Sequence, residues 1–142
     1  MTDGTRNRWP LDLMIFAAIY LVWAVLLLLR AYSGAHPGST EPFQDVVFGV
    51  KLYDNQARLA MAVQSLIFGA SSVGILLRKR WGLHLALVYW LYVAASQLLF
   101  MGFYFNDESQ RGHVYNAEVL LLPMMAIVFY VWYRRRSVLR GA

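Results

Sequence analysis

Four long apolar runs separated by short polar or basic stretches set the pattern of this chain, and two of them form a hairpin from Arg58 to Phe105 about the turn Arg78-Lys79-Arg80-Trp81. Each run holds about 17–25 residues with few or no charges, enough to cross about 30 Å of hydrocarbon at about 1.5 Å per residue. The pattern predicts spans at about 11–29, 57–77, 81–105 and 115–133. Between them lie outer loops 30–56 and 106–114, a turn 78–80, and tails 1–10 and 134–142. The expected fold is all-α: a polytopic membrane protein with four transmembrane helices in an up-down bundle, and 1–142 as a single membrane domain.

Local chemistry refines these limits. Pro10 suits a first helical turn, where its missing N–H is not needed, and Asp12 sits near the positive end of that helix dipole. The rival reading of the first run is a signal peptide, with Ser33-Gly34-Ala35 resembling a cleavage site. The run exceeds the usual core of about 7–15 residues, so a retained span is expected. The loop after it begins with turn residues, from Ser33 to Pro42, and then mixes Val46, Val47, Phe48, Val50, Leu52 and Tyr53 with Asp45, Lys51 and Asp54. That second half reads either as a short amphipathic helix at the interface or as an ordered loop resting on the helix ends. Asp54 or Asn55 is expected to cap the second span. In that span Ser65, Gly69, Ala70 and Gly74 form a stripe of small residues that lets helix backbones approach closely in lipid. Pro123 removes a backbone donor inside the fourth span, so a kink near Val119 is expected.

Composition narrows the function classes. Of 142 residues, 59% are hydrophobic and 15% charged, against about 45–50% and about 25% in an ordinary soluble domain. The tails and loops are too short for a soluble catalytic domain. Cysteine is absent, which excludes disulfides, thiolate metal sites and a dithiol relay. The net charge of +5 sits at membrane borders, so anionic headgroups, met by Arg78, Lys79, Arg80, Arg134, Arg135 and Arg136, are the expected partner, and nucleic acid is not. One side of the spans holds these six together with Arg6, Arg8 and Arg140, whereas the other holds Arg30, Lys51, Arg58 and Arg111. The positive-inside rule then places both termini and the 78–80 turn in the cytoplasm, in a bacterial inner membrane.

Candidate chemistry is sparse. Polar residues inside spans are expensive and point to function, and Arg58, Gln64, Gln97 and Glu118 all fall in the outer half. Should their faces converge, they form an outward-facing polar pocket. Their structural alternatives are snorkelling for Arg58, helix N-terminal satisfaction for Glu118 and interhelical hydrogen bonds for the two glutamines. His84 has no second histidine at matching depth for a haem, and the spacing of His36 and His113 demands no metal. Tyr89, Trp90 and Tyr92, with His84 nearby, offer a weak surface for a cofactor and are equally good bundle filler. No protease, phosphate-loop, dinucleotide or paired-carboxylate signature occurs, so neither an enzyme nor a cofactor or metal is predicted.

The turn Gly74-Ile75-Leu76-Leu77-Arg78-Lys79-Arg80-Trp81-Gly82-Leu83 and the ending Phe129-Tyr130-Val131-Trp132-Tyr133-Arg134-Arg135-Arg136-Ser137-Val138 resemble those of a loose group of small bacterial four-helix membrane proteins. There, an Arg-rich turn with an interfacial Trp joins the second and third spans. The usual Ala after that Trp is Gly82 here, and the Arg-Pro common in the tail is absent. The resemblance implies the four-span topology and no activity.

The leading expectation is therefore a non-enzymatic accessory subunit, packing through the small-residue stripe against itself as a homo-oligomer or against a larger membrane complex. The alternative is a small oligomeric transporter or channel using the Arg58, Gln64, Gln97, Glu118 pocket. The third is a subunit holding haem, quinone or pigment.

Overall fold

A computed structural model describes residues 9–33 and 43–140. In chain order it contains α1 (Leu11–Ser33), β1 (Gln44–Val47), β2 (Val50–Tyr53), α2 (Asp54–Leu76), α3 (Arg80–Tyr104), a 3-10 turn (Glu108–Gln110) and α4 (Arg111–Arg140). All four α-helices are long and apolar enough to cross a membrane. The tail before Trp9 and the turn-rich half of the first loop, with His36, lie outside the described residues. The last helix continues beyond the expected end of its span through the arginine run, and it is continuous across Pro123.

The bundle has two unlike ends. At the α2–α3 turn all four helices meet in one core of Leu13, Ala17, Ile75, Leu83, Ala86, Leu87, Val128 and Val131. Glycine makes the approach of α2 to α3 close there: a Cβ on Gly82 would lie 2.5 Å from the backbone nitrogen of Ile75, and one on Gly74 would lie 2.7 Å from the Gly82 Cα. The turn itself is closed by Arg78 in the left-handed region at φ 57°, with the Lys79 N–H donating to the Gly74 carbonyl at 2.8 Å. In mid-bundle an aromatic layer takes over, with Phe68 stacked on Tyr89 at 5.1 Å and Tyr20 edge-on to Phe68 and Trp90.

At the opposite end, the segment expected as an amphipathic helix or loop is instead an antiparallel β-hairpin, with Asp45 opposite Leu52 and Val47 opposite Val50. Phe48 and Gly49 both have positive φ, 49° and 79°, the signature of a type I′ turn, whose twist matches that of the strands. The β-branched and aromatic residues Val46, Val47, Val50 and Tyr53 suit a pleated surface better than a helix. Opposed residues point to one face, so Asp45, Val47 and Leu52 face α2, whereas Val46 joins Phe100, Val114 and Ala117 of α3 and α4. On that second face Lys51 bonds to Gln110 and lies over the Phe100 ring. The hairpin is thus a wedge between α2 and the α3–α4 pair.

The expected cap on α2 is also replaced. Tyr53 occupies the N-cap position without a side-chain bond, and Asp54 opens the helix with φ 47°. The N–H of Asp54 donates to the Phe43 carbonyl at 2.8 Å, so closure of the hairpin takes the place of a capping side chain.

Candidate ligand cavity beneath the hairpin

The wedge keeps α2 and α3 from closing on each other at the hairpin end. Beneath it lies an open-sided cavity of about 690 Å³, lined by Val47, Phe48 and Leu52 of the hairpin, one stripe of α2 running from Gln56 to Ile67, and Tyr89 and Tyr92 of α3; Phe48, Leu59 and Val63 on its rim are exposed. The α2 positions 56, 59, 60, 63, 64 and 67 recur at three- and four-residue steps, as one helix face must. This volume falls within the range of about 300–1,000 Å³ usual for small-molecule sites.

The hairpin tip is held by α3. The Gly49 N–H donates to the Ser96 hydroxyl at 3.2 Å, and a Cβ at Gly49 would lie 2.7 Å from the Leu99 Cβ. Phe48 packs edge-on against Tyr92 at 5.1 Å, which offsets the strain of an aromatic residue at positive φ.

The polar side chains of the lining are Gln56 and Gln64, and behind Gln64 stands Asp45, its hydrogen-bond partner. The Gln64 Nε2 donates to one Asp45 carboxylate oxygen at 3.0 Å, and the Val46 N–H donates to the other at 2.8 Å. Burial pushes the Asp45 carboxyl above its ordinary range, opposed by that N–H and by the positive charge of Arg30. Tyr89 is 9% exposed and its phenol makes no hydrogen bond among the described residues.

The sequence-predicted polar residues do not come together. Gln64 is the one drawn into this corner, and its partner is Asp45. Gln97 makes no side-chain hydrogen bond among the described residues, because Ser96, one position earlier and about 100° round the helix, is the residue that faces the hairpin. Arg58 is exposed, and Glu118 is exposed on a separate concavity beside Asp107, Glu108 and Arg111. Among the described residues Arg58 and Glu118 form no ion pair with each other.

The small-residue stripe is divided between two neighbours inside the chain. The Ser65 hydroxyl donates to the Ala24 carbonyl of α1 at 2.5 Å, and Gly69 faces the Ala24 methyl. Gly74 packs on Gly82 and Trp81 of α3, while Ala70 is exposed. His84 is exposed, and its Nδ1 lies 2.8 Å from the Arg80 carbonyl of its own helix. Tyr89 and Trp90 belong to the aromatic layer, where the Trp90 Nε1 is buried without a hydrogen-bond partner. No group of three or more metal-ligating side chains occurs among the described residues.

Arg78, Lys79 and Arg80 are exposed at the turn. Arg136 lies over the Trp132 ring at 3.8 Å, and Arg134 pairs with Asp12 of α1, which also accepts a 2.9 Å hydrogen bond from Tyr130. This clip between the first and last helices went unrecognised in the sequence, since nothing in one chain pairs a first-turn acid with a basic residue more than a hundred positions later.

Compared with protein-family models, with curated proteins and with solved structures, the chain matches none of them.

Proposed function

We propose that this chain is a non-enzymatic integral membrane protein that holds an amphiphilic molecule in the cavity beneath its hairpin. The observation that carries this reading is the construction of the cavity: apolar walls from two helices and a hairpin, few polar side chains, chief among them Gln64 backed by Asp45, and the aromatic rings of Tyr89 and Tyr92. Such a lining suits a ligand with an apolar body and one polar end. The basic residues clustered at the α2–α3 turn and on the end of α4 favour a cytoplasmic position for that end of the bundle, in a bacterial inner membrane with anionic headgroups. The cavity then opens in the outer half of the bilayer.

An accessory subunit packing through the Gly69–Gly74 face draws less support, because Ser65, Gly69 and Gly74 are already covered by α1 and α3. A transporter using Arg58, Gln64, Gln97 and Glu118 is likewise less supported, since those groups do not share a cavity. Native mass spectrometry of the protein extracted with its surrounding lipids tests the proposal. The expected result is a retained amphiphile that disappears in Ala60→Trp, which fills the cavity. A stable hetero-complex with no retained small molecule contradicts it and favours the accessory role.

A further inference from the structure

The polar corner of the cavity carries a negative charge, that of Asp45 beside Gln64, which no ion pair answers among the described residues. Asp45 has no ion-pair partner among the described residues, and Arg30 acts on it only from beyond ion-pair distance. An ionised carboxylate can only accept, so the Gln64 amide must present its NH2 to Asp45, which leaves the Gln64 Oε1 without a partner. The Tyr89 phenol is unpaired among the described residues, and the rings of Phe48, Tyr92 and Tyr89 follow in that order beside it, with centroids 5.1 Å and then 6.3 Å apart. A negative charge, further acceptors and adjacent aromatic faces are the elements that bind an organic cation.

We propose that the ligand carries a protonated amine at its polar end, seated where Asp45, Gln64, Tyr89 and Tyr92 meet, with its apolar body along the α2 face between Leu59 and Ile67. This rests on the cavity being a ligand site and adds the chemistry of the head group. An ammonium supplies donors to the Asp45 carboxylate and the Gln64 Oε1, and its charge compensates a carboxylate that burial otherwise disfavours. A carboxylate head would repel Asp45. A hydroxyl head would satisfy some of the acceptors and leave the charge unpaired.

The test uses dodecylamine, dodecanol and dodecanoic acid, which share a chain and differ in head group, offered in equal amounts to the full-length protein in neutral maltoside micelles and read by native mass spectrometry. The wild type is expected to retain dodecylamine about tenfold over dodecanol, the scale of one charge-assisted contact with aromatic support. Asp45→Asn is expected to bring the amine down to the level of the alcohol, and Ala60→Trp to remove both. Equal retention of amine and alcohol, both lost in Ala60→Trp, overturns the amine assignment and leaves the cavity reading standing. Preference for the acid, or an amine excess that persists in Asp45→Asn, also overturns the assignment. Absence of any adduct overturns both readings. The wild-type comparison stands by itself if a variant fails to fold.

Discussion

The backbone N–H of Gly49 donates to the hydroxyl of Ser96 at 3.2 Å, joining the tip of the hairpin to the middle of α3. The contact helps to hold the roof of the cavity, together with the Asp45–Gln64 bond and the Phe48–Tyr92 ring contact. Gly49 combines a positive φ with a space that backbone atoms of Leu99 and Phe100 already fill at 2.8 Å. Gly49→Ala is therefore expected to lower stability by about 1–3 kcal/mol through backbone strain alone, with steric displacement of the tip added. Ser96→Ala, which leaves the tip N–H unsatisfied, is expected to cost about 1–3 kcal/mol. Thermal unfolding in detergent checks both.

The turn end answers to different residues. Gly82→Ala would place a methyl against the Ile75 and Gly74 backbone at 2.5–2.6 Å, where no flexible side chain can yield. Separation of α2 from α3 and a marked fall in unfolding temperature are expected. Gly102→Ala, at a helix position with open space around it, is expected to be neutral or slightly stabilising, because alanine is the better helix former by about 1 kcal/mol. Comparing the two melting curves separates close packing from propensity.

Between α1 and α2 the bond from Ser65 to the Ala24 carbonyl is the polar contact. Ser65→Ala removes it while keeping the small volume, and a loss of about 0.6 kcal/mol is expected, the average for interhelical hydrogen bonds in membranes. Ser65→Leu, which must push Ala24 away, is expected to cost far more; unfolding measurements on both variants distinguish bonding from proximity.

Asp45 makes stability depend on pH. Its folded carboxyl holds its proton to higher pH than the unfolded chain does, because burial outweighs the Val46 N–H and Arg30. The charged groups and phenols that face it are Arg30 from α1 and Tyr89 and Tyr92 from α3, and α2 contributes the neutral Gln64. The folded state therefore binds more protons in the window between the two values. Its stabilisation is complete below the unfolded value and is lost as pH rises through the folded one. Acidification from neutral to the ordinary aspartate range, about pH 4, is expected to raise the unfolding temperature of the ligand-free wild type relative to Asp45→Asn, which lacks the titration. Parallel curves for the two proteins contradict it.

The spans were legible in the sequence because length and hydropathy alone specify a membrane helix. All four occur close to their expected limits, apart from the longer α4. The hairpin was not. Both of its faces are packed, with Val46 toward α3 and α4 and Val47 toward α2, so no clean apolar-polar alternation marks it as a strand. The available signal was local: β-branched and aromatic residues on either side of Phe48-Gly49, a two-residue connection containing glycine. Whether the polar residues share a face is illegible for a related reason. Depth can be counted along a helix, which puts Gln64 and Gln97 in the outer half, but spans apolar all round do not reveal which face turns inward. Asp45, the acid that meets Gln64, is hidden because its segment reads equally as an interfacial helix and as a loop resting on the helix ends.

The most direct measurement is photolabelling with a long-chain alkylamine that carries a diazirine in its tail, followed by mapping of the modified residues. Labelling concentrated on Phe48, Val63 and Ile67, and abolished by Ala60→Trp, is the predicted result. Labelling spread over the outward-facing residues of α1, such as Ile15, Val22 and Leu26, and unchanged by that substitution, would mean that the probe meets the protein only as bulk lipid does and would contradict a ligand site beneath the hairpin.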